Sequence, residues 1–151
     1  MSAAVLTVAD MYNPFRALHL LGPSVTMSVE PTPGNKPAWW CPVSDHFMLR
    51  PDLNQVQRRC HMAHELAHRD LGHSGEEDGR LDRRQEREAD ELAARRLVTL
   101  DALVRALTWS DNGDEVADAL WVTRHILDVR IETMYGGERR QVAVALAKVR
   151  D

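Results

Sequence analysis

The chain lacks the cysteines that a disulfide framework needs: it has two, Cys41 and Cys60, in 151 residues. Such usage fits a reducing compartment. It also lacks any apolar run of 18 residues, which leaves no candidate for a membrane-spanning helix. The first residues carry no basic stretch, and Asp10 interrupts their apolar character, so no secretory signal is expected and the cytoplasm is the expected location. There is no surplus of positive charge either. With a formal net charge of −4 the chain is poorly suited to coating nucleic acid or an anionic membrane surface. Lysine is almost missing, 2 against 17 arginines, a bias that reflects base composition more than mechanism. Internal repeats and low-complexity segments are absent.

What is present describes an ordinary globular chain, 44% hydrophobic and 28% charged. At this length about 68–70% of the unfolded surface can be buried, enough for one domain without covalent staples. Asn13-Pro14 is a helix start and Gly22 a helix stop. Residues 24–30 alternate, with Val25, Met27 and Val29 on one face, which predicts a half-buried strand. Two further short strands are expected at Ala38–Cys41 and His46–Arg50, after a connection rich in proline and glycine. Helices then dominate: about 53–71, 82–98, 101–109, 114–120, 123–134 and 138–150. A sheet followed by helices predicts an α+β fold, with a small antiparallel sheet at the N-terminal end. The expected division is a core over residues 1–100 and a helical subdomain over 101–151, packed as one unit.

The first long helix carries His64-Glu65-Leu66-Ala67-His68, an H-E-x-x-H match. Two histidines four apart lie roughly 40° apart around a helix and one turn along it, so both rings can reach one ion. Glu65 projects to the side, where it can touch a metal-bound water. Two imidazoles and an open position suit Zn²⁺. Shuffling this composition gives the motif in about 2% of cases, so it needs a corroborating ligand.

Glu86 is the candidate third ligand. On the second long helix Glu86, Ala89, Asp90, Ala93 and Leu97 share a face, while Arg87, Glu88, Glu91 and Arg95 fall on the other side, where Arg87–Glu91 and Glu91–Arg95 make surface i, i+4 pairs. On this reading Glu86 is a carboxylate buried among alanines. Asp90, one turn further on, can accept the free ring N–H of a metal-bound histidine. Against this stands the plainer possibility of two solvated polar helices. An unpaired polar group beside the apolar stripe of Val56, Cys60, Ala63, Ala67 and Leu71 would carry an energetic cost, which favours the metal.

A glutamate followed at i+4 by an aspartate resembles the gluzincin metallopeptidases. More narrowly, the segment QVQRRCHMAHELAH ending at His68, followed by EREADELAARRLV from Glu86 to Val98, is similar to the ImmA/IrrE family. The likeness covers roughly residues 40–134. The chain departs from the family pattern at His61, where a threonine is usual, at Ala67, where a glycine is usual, and at Leu97–Leu100. The resemblance implies a cytoplasmic zinc peptidase that cleaves a helix-turn-helix repressor in a prophage, mobile element or stress locus. The alternative is a zinc-stabilised regulator that binds a repressor or antitoxin without cutting it.

Other residues carry weaker signals. His61 can line the cleft. His73 invites comparison with a third metal ligand, but the spacing of the metzincin pattern is not met. Tyr135, His61 and His125 are candidates for stabilising an oxyanion, and His46 has no assigned role. Cys60, within the apolar stripe, reads as a small core residue. Residues 115–131 read as a helix-turn-helix, with Thr123 as cap and Trp121 where glycine is usual. Over residues 114–134, however, five acids face only Arg124 and Arg130, the wrong balance for DNA. The resemblance implies instead a helical subdomain that docks a protein substrate.

Overall fold

The structure is a computed structural model that describes residues 11–73 and 79–151, with backbone alone at 79–81. Helix α1 (Pro14–Leu20) starts on Asn13, whose side chain accepts the N–H groups of Phe15 and Arg16, and Gly22 follows its end at φ +97°. Three strands come next: β1 (Thr26–Val29), β2 (Ala38–Cys41) and β3 (His46–Leu49), in the spatial order β1-β3-β2.

The α+β class holds, but the sheet is mixed and not wholly antiparallel. β2 and β3 pair antiparallel, with Ala38 opposite Leu49 and Cys41 opposite His46, whereas β1 runs parallel to β3, with Thr26 opposite His46. The reason is the order. The chain reverses after β1 and again after β2, so β1 and β3 point the same way and, as neighbours, must pair parallel. β1 is also more exposed than its alternation implies, with Met27 at 36% and Val29 at 46%. The central strand is the buried one, with Phe47 and Leu49 fully enclosed.

Helix α2 (Gln55–Asp70) begins at Asn54 in a capping box: Gln57 donates its backbone N–H to the Asn54 side chain and accepts the Asn54 N–H on its own, both at 2.9 Å. It is buried on two sides. Met62 and Leu66 pack with Leu53, Phe47 and Leu49 against the sheet. Cys60, Ala63 and Ala67 face the helices behind. Leu71, expected in the same stripe, lies just past the helix and is exposed.

Helix α3 (Gly79–Leu97) lies against that second side through Ala89, Ala93 and Ala94, all without exposed surface. Small side chains on both helices allow close approach, and this contact brings the glutamate end of α3 to the histidines of α2. The remaining helices, α4 (Leu100–Trp109), α5 (Gly113–Leu120), α6 (Arg124–Glu132) and α7 (Gly136–Arg150), extend the same core through Leu103, Val116, Leu120, Ile126 and Leu127. Truncating a side chain as enclosed as Leu103 to alanine costs about 2–5 kcal/mol.

Two arginines tie the layers. Arg59 of α2 donates to the Trp121 carbonyl at 2.6 Å and the Tyr12 carbonyl at 3.2 Å, holding the α5–α6 turn. At that turn Trp121 has φ +56°, the left-handed conformation usually given to glycine. Arg130 of α6 donates to the Val98 carbonyl at 2.8 Å and to Glu138 of α7 at 2.7 Å. Arg95, expected on a solvated face, also reaches Glu138 at 3.0 Å and lies 3.8 Å over the Tyr135 ring. Among the described residues no helix is long and apolar enough to cross a membrane.

Candidate metal centre

The crossing of α2 and α3 brings three donor side chains into one small space. Nε2 of His64 and Nε2 of His68 lie 3.0 Å apart, with the rings edge to face. The Glu86 carboxylate spans both, with Oε2 2.9 Å from His64 and Oε1 3.0 Å from His68. His64, Glu65 and His68 also form a group whose candidate ligand atoms fall within 4.8 Å of one another. Bonds of about 2.0–2.1 Å to a tetrahedral Zn²⁺ set neighbouring ligand atoms about 3.3 Å apart. The three side chains therefore fit such an ion after small outward shifts. Two imidazoles and one carboxylate are also the donor chemistry that Zn²⁺ accepts.

The electrostatics of the site favour a cation. Burial disfavours charge on His64, but Asp90 and Glu86 outweigh it and push the ring up to about 10. Glu86 is held well below the usual carboxylate range by its contacts with His64 and His68. It is not buried among alanines as expected, since half of its side chain is exposed at the cleft mouth. Only the alanines behind it are enclosed.

Asp90 sits one turn along α3 and makes two contacts. His64 Nδ1 donates to Oδ1 at 2.8 Å, and His125 Nε2 donates to Oδ2 at 2.9 Å. Glu65 lies in the cleft beside the histidines, and its burial raises its carboxyl pKa against the lowering pull of His64 and His68.

The cleft measures about 870 Å³. Its lining includes strand β2 with its flanks, among them Lys36, Trp39 and Trp40, and the start of α6, with Thr123, His125 and Ile126. β2 is held in place from behind. Asp45, in the β2–β3 turn, accepts from Trp40 Nε1 at 2.9 Å and from two nitrogens of Arg69 on α2 at 2.8 and 2.9 Å.

Of the three oxyanion candidates, His61 and His125 line the cleft and Tyr135 does not. Burial lowers the His61 pKa, which favours a neutral ring. His46 lies away from the cleft, its ring bonded to the Thr26 and Ser28 hydroxyls. Cys60 is enclosed, and its sulfur accepts the Thr123 N–H at 3.4 Å.

Sequence reasoning missed two features. Glu88, read as a solvent-facing partner, accepts from His73 at 2.9 Å, and His73 in turn contacts His68. The signal was present in Gly72, whose left-handed turn folds the next residue back onto the helix. The tryptophan wall carried no spacing pattern that pointed to the cleft.

Two histidines and a glutamate thus converge from crossing helices in an α+β fold. A comparison with family models matches residues 24–132 to Peptidase_M78, the IrrE N-terminal-like domain, and the chain belongs to that family. Neither the curated proteins nor the solved structures gave a match to it.

Proposed function

We propose that this protein is a zinc-dependent endopeptidase whose substrate is a helix-turn-helix transcriptional repressor, in prophage, mobile-element or stress regulation in the cytoplasm. In this reading His64, His68 and Glu86 hold the ion, Glu65 is the general base, and Asp90 orients His64. The observation that carries it is the convergence of three donor side chains, each with an atom within 3.0 Å of the other two, beside a desolvated glutamate in an open cleft.

A bound Zn²⁺ supplies Lewis-acid polarisation of the scissile carbonyl and lowers the pKa of water. Glu65 takes a proton from the attacking water and hands it to the leaving amine. Its raised pKa suits that exchange, because a strongly stabilised carboxylate would be a weak base. His61, a neutral ring lining the cleft, offers an N–H to the oxygen on which charge develops, while the N–H of His125 is already given to Asp90. Among the described residues β2 pairs only with β3, so its outer edge is free to align an extended peptide along the cleft.

The test is to incubate the purified, zinc-loaded protein with a helix-turn-helix repressor encoded beside it and to read the products by mass spectrometry. Native protein should cut the repressor, and Glu65→Gln should bind zinc yet leave the repressor intact. Cleavage retained by Glu65→Gln would remove Glu65 as the base. Stable binding without cleavage by either protein would favour the non-catalytic regulator.

A further inference from the structure

We propose that His73, backed by Glu88, is a positioning residue that fixes the ring orientation and tautomer of His68. The proposal rests on the metal-ligand reading above and extends it to residues outside the H-E-x-x-H motif.

The backbone explains why His73 is there. After α2 the His73 N–H bonds the His68 carbonyl at 3.0 Å, and the Gly72 N–H bonds the Arg69 carbonyl at 3.1 Å. With Gly72 at φ +69°, this is a Schellman ending, in which the second residue past the cap folds back onto the residue five before it. That contact is commonly apolar. Here it joins two imidazoles, His68 Nδ1 and His73 Nδ1, at 2.8 Å. His73 is 8% exposed, and a polar ring so enclosed needs partners on both nitrogens.

The proton inventory along the contacts has one consistent solution. If His68 uses Nε2 for a metal, that atom must present its lone pair, so the ring proton sits on Nδ1. His68 Nδ1 then donates to His73 Nδ1, which must be an acceptor. The His73 proton therefore sits on Nε2, where it donates to Glu88 Oε2 at 2.9 Å. Arg84 Nε donates to the other Glu88 oxygen at 2.9 Å and holds the carboxylate as an anion. The opposite arrangement, with the proton on His73 Nδ1, would leave His68 Nδ1 as the acceptor and its proton on Nε2, facing the metal position. It would also turn the bare Nε2 of His73 towards a carboxylate. His73 cannot itself be the third ligand, because one of its nitrogens is turned to the outer edge of His68 and the other to Glu88.

Both proposed histidine ligands on α2 are thus held from behind: His64 directly by Asp90, and His68 by Glu88 through an intervening ring. Such outer contacts typically change metal affinity by 10–100-fold when removed.

The experiment measures zinc affinity by chelator competition for the native chain, His73→Leu, His73→Gln and Glu88→Gln, with folding checked by circular dichroism. His73→Leu should weaken zinc binding by about tenfold or more. His73→Gln, which keeps an acceptor and a donor, should retain more affinity than His73→Leu. Glu88→Gln changes an exposed side chain and should fold whatever becomes of the histidine variants; its affinity should also fall. Nitrogen-15 spectra of the zinc-loaded native chain should show His73 protonated on Nε2 alone. A His73 proton on Nδ1, or unchanged affinity in both His73→Leu and Glu88→Gln, overturns the relay while leaving the ligands intact. If His68→Ala binds zinc as tightly as the native chain, the ligand reading fails and the relay falls with it.

Discussion

Asp90 and His64 are joined by a 2.8 Å contact from ring Nδ1 to Oδ1, on the side of the ring away from His68 and Glu86. A ring gripped this way presents Nε2 with its lone pair towards the other two donors. Replacing Asp90 with alanine should therefore lower zinc affinity by about 10–100-fold while leaving the fold in place. Asp90→Asn keeps an oxygen acceptor but loses the charge, and should fall between. Chelator competition checks the order. Equal affinities for all three proteins would show that Asp90 does not hold the ring.

Glu86 and Glu88 are two residues apart, and their contacts differ in kind. Glu86 touches both Nε2 atoms directly, whereas Glu88 touches His73. Loss of a direct ligand removes a bond to the metal, while loss of an outer contact only loosens a ligand that stays. Glu86→Ala should thus weaken zinc binding far more than Glu88→Ala, by at least a further tenfold. The reverse order, measured by the same competition, would exchange their roles.

The legible parts of the sequence were those governed by short-range geometry. Asn13 and Thr123 cap helices because their side chains reach nearby N–H groups. The histidine spacing needs only a helix to bring the two rings together. What stayed hidden depends on partners distant in sequence. Alternation places side chains on faces but does not name a neighbour, so the parallel pairing of β1 with β3 could not be read. Arg95 looks like a solvated charge from i, i+4 spacing until α7 brings Glu138 across it and Arg130. Glu86 shares a helical face with alanines, yet it lies where that face opens into the cleft. A turn rule at Gly72 was enough to place His73 against the helix and went unused, whereas its partner Glu88 required knowing how α3 crosses α2.

The clasp at Glu138 makes stability depend on acid. Its carboxyl, usually near 4.5, is pulled to about 2, chiefly by Arg130, with help from the Tyr135 N–H and Arg95. The folded pKa lies below the unfolded one, so the stabilisation is fully present above about 4.5 and is lost as pH falls through about 2. Thermal melts should show the native chain losing stability across that window. Glu138→Gln should start lower at neutral pH, by about 3 kcal/mol, because the Arg130 side chain stays buried without its counter-charge. Its melting temperature should then change less with acid. Parallel pH profiles for the two proteins would show that the clasp does not carry the effect.

The α5–α6 turn has the outline of a DNA reader but not its chemistry. Its two arginines are already engaged: Arg124 pairs with Asp128 at 3.0 Å and Asp114 at 3.1 Å, and Arg130 is enclosed against Glu138. The start of α6, which in a DNA-binding helix-turn-helix enters the major groove, is here a wall of the cleft, with His125 bonded to Asp90. Duplex DNA would have to approach acidic side chains with no free cation among these residues to release its counterions. Titration of labelled DNA at low salt should accordingly give no more than weak binding, unchanged by Arg124→Ala. His125→Ala should instead alter peptide cleavage. Tight binding with a steep salt dependence, lost in Arg124→Ala, would assign this segment to DNA.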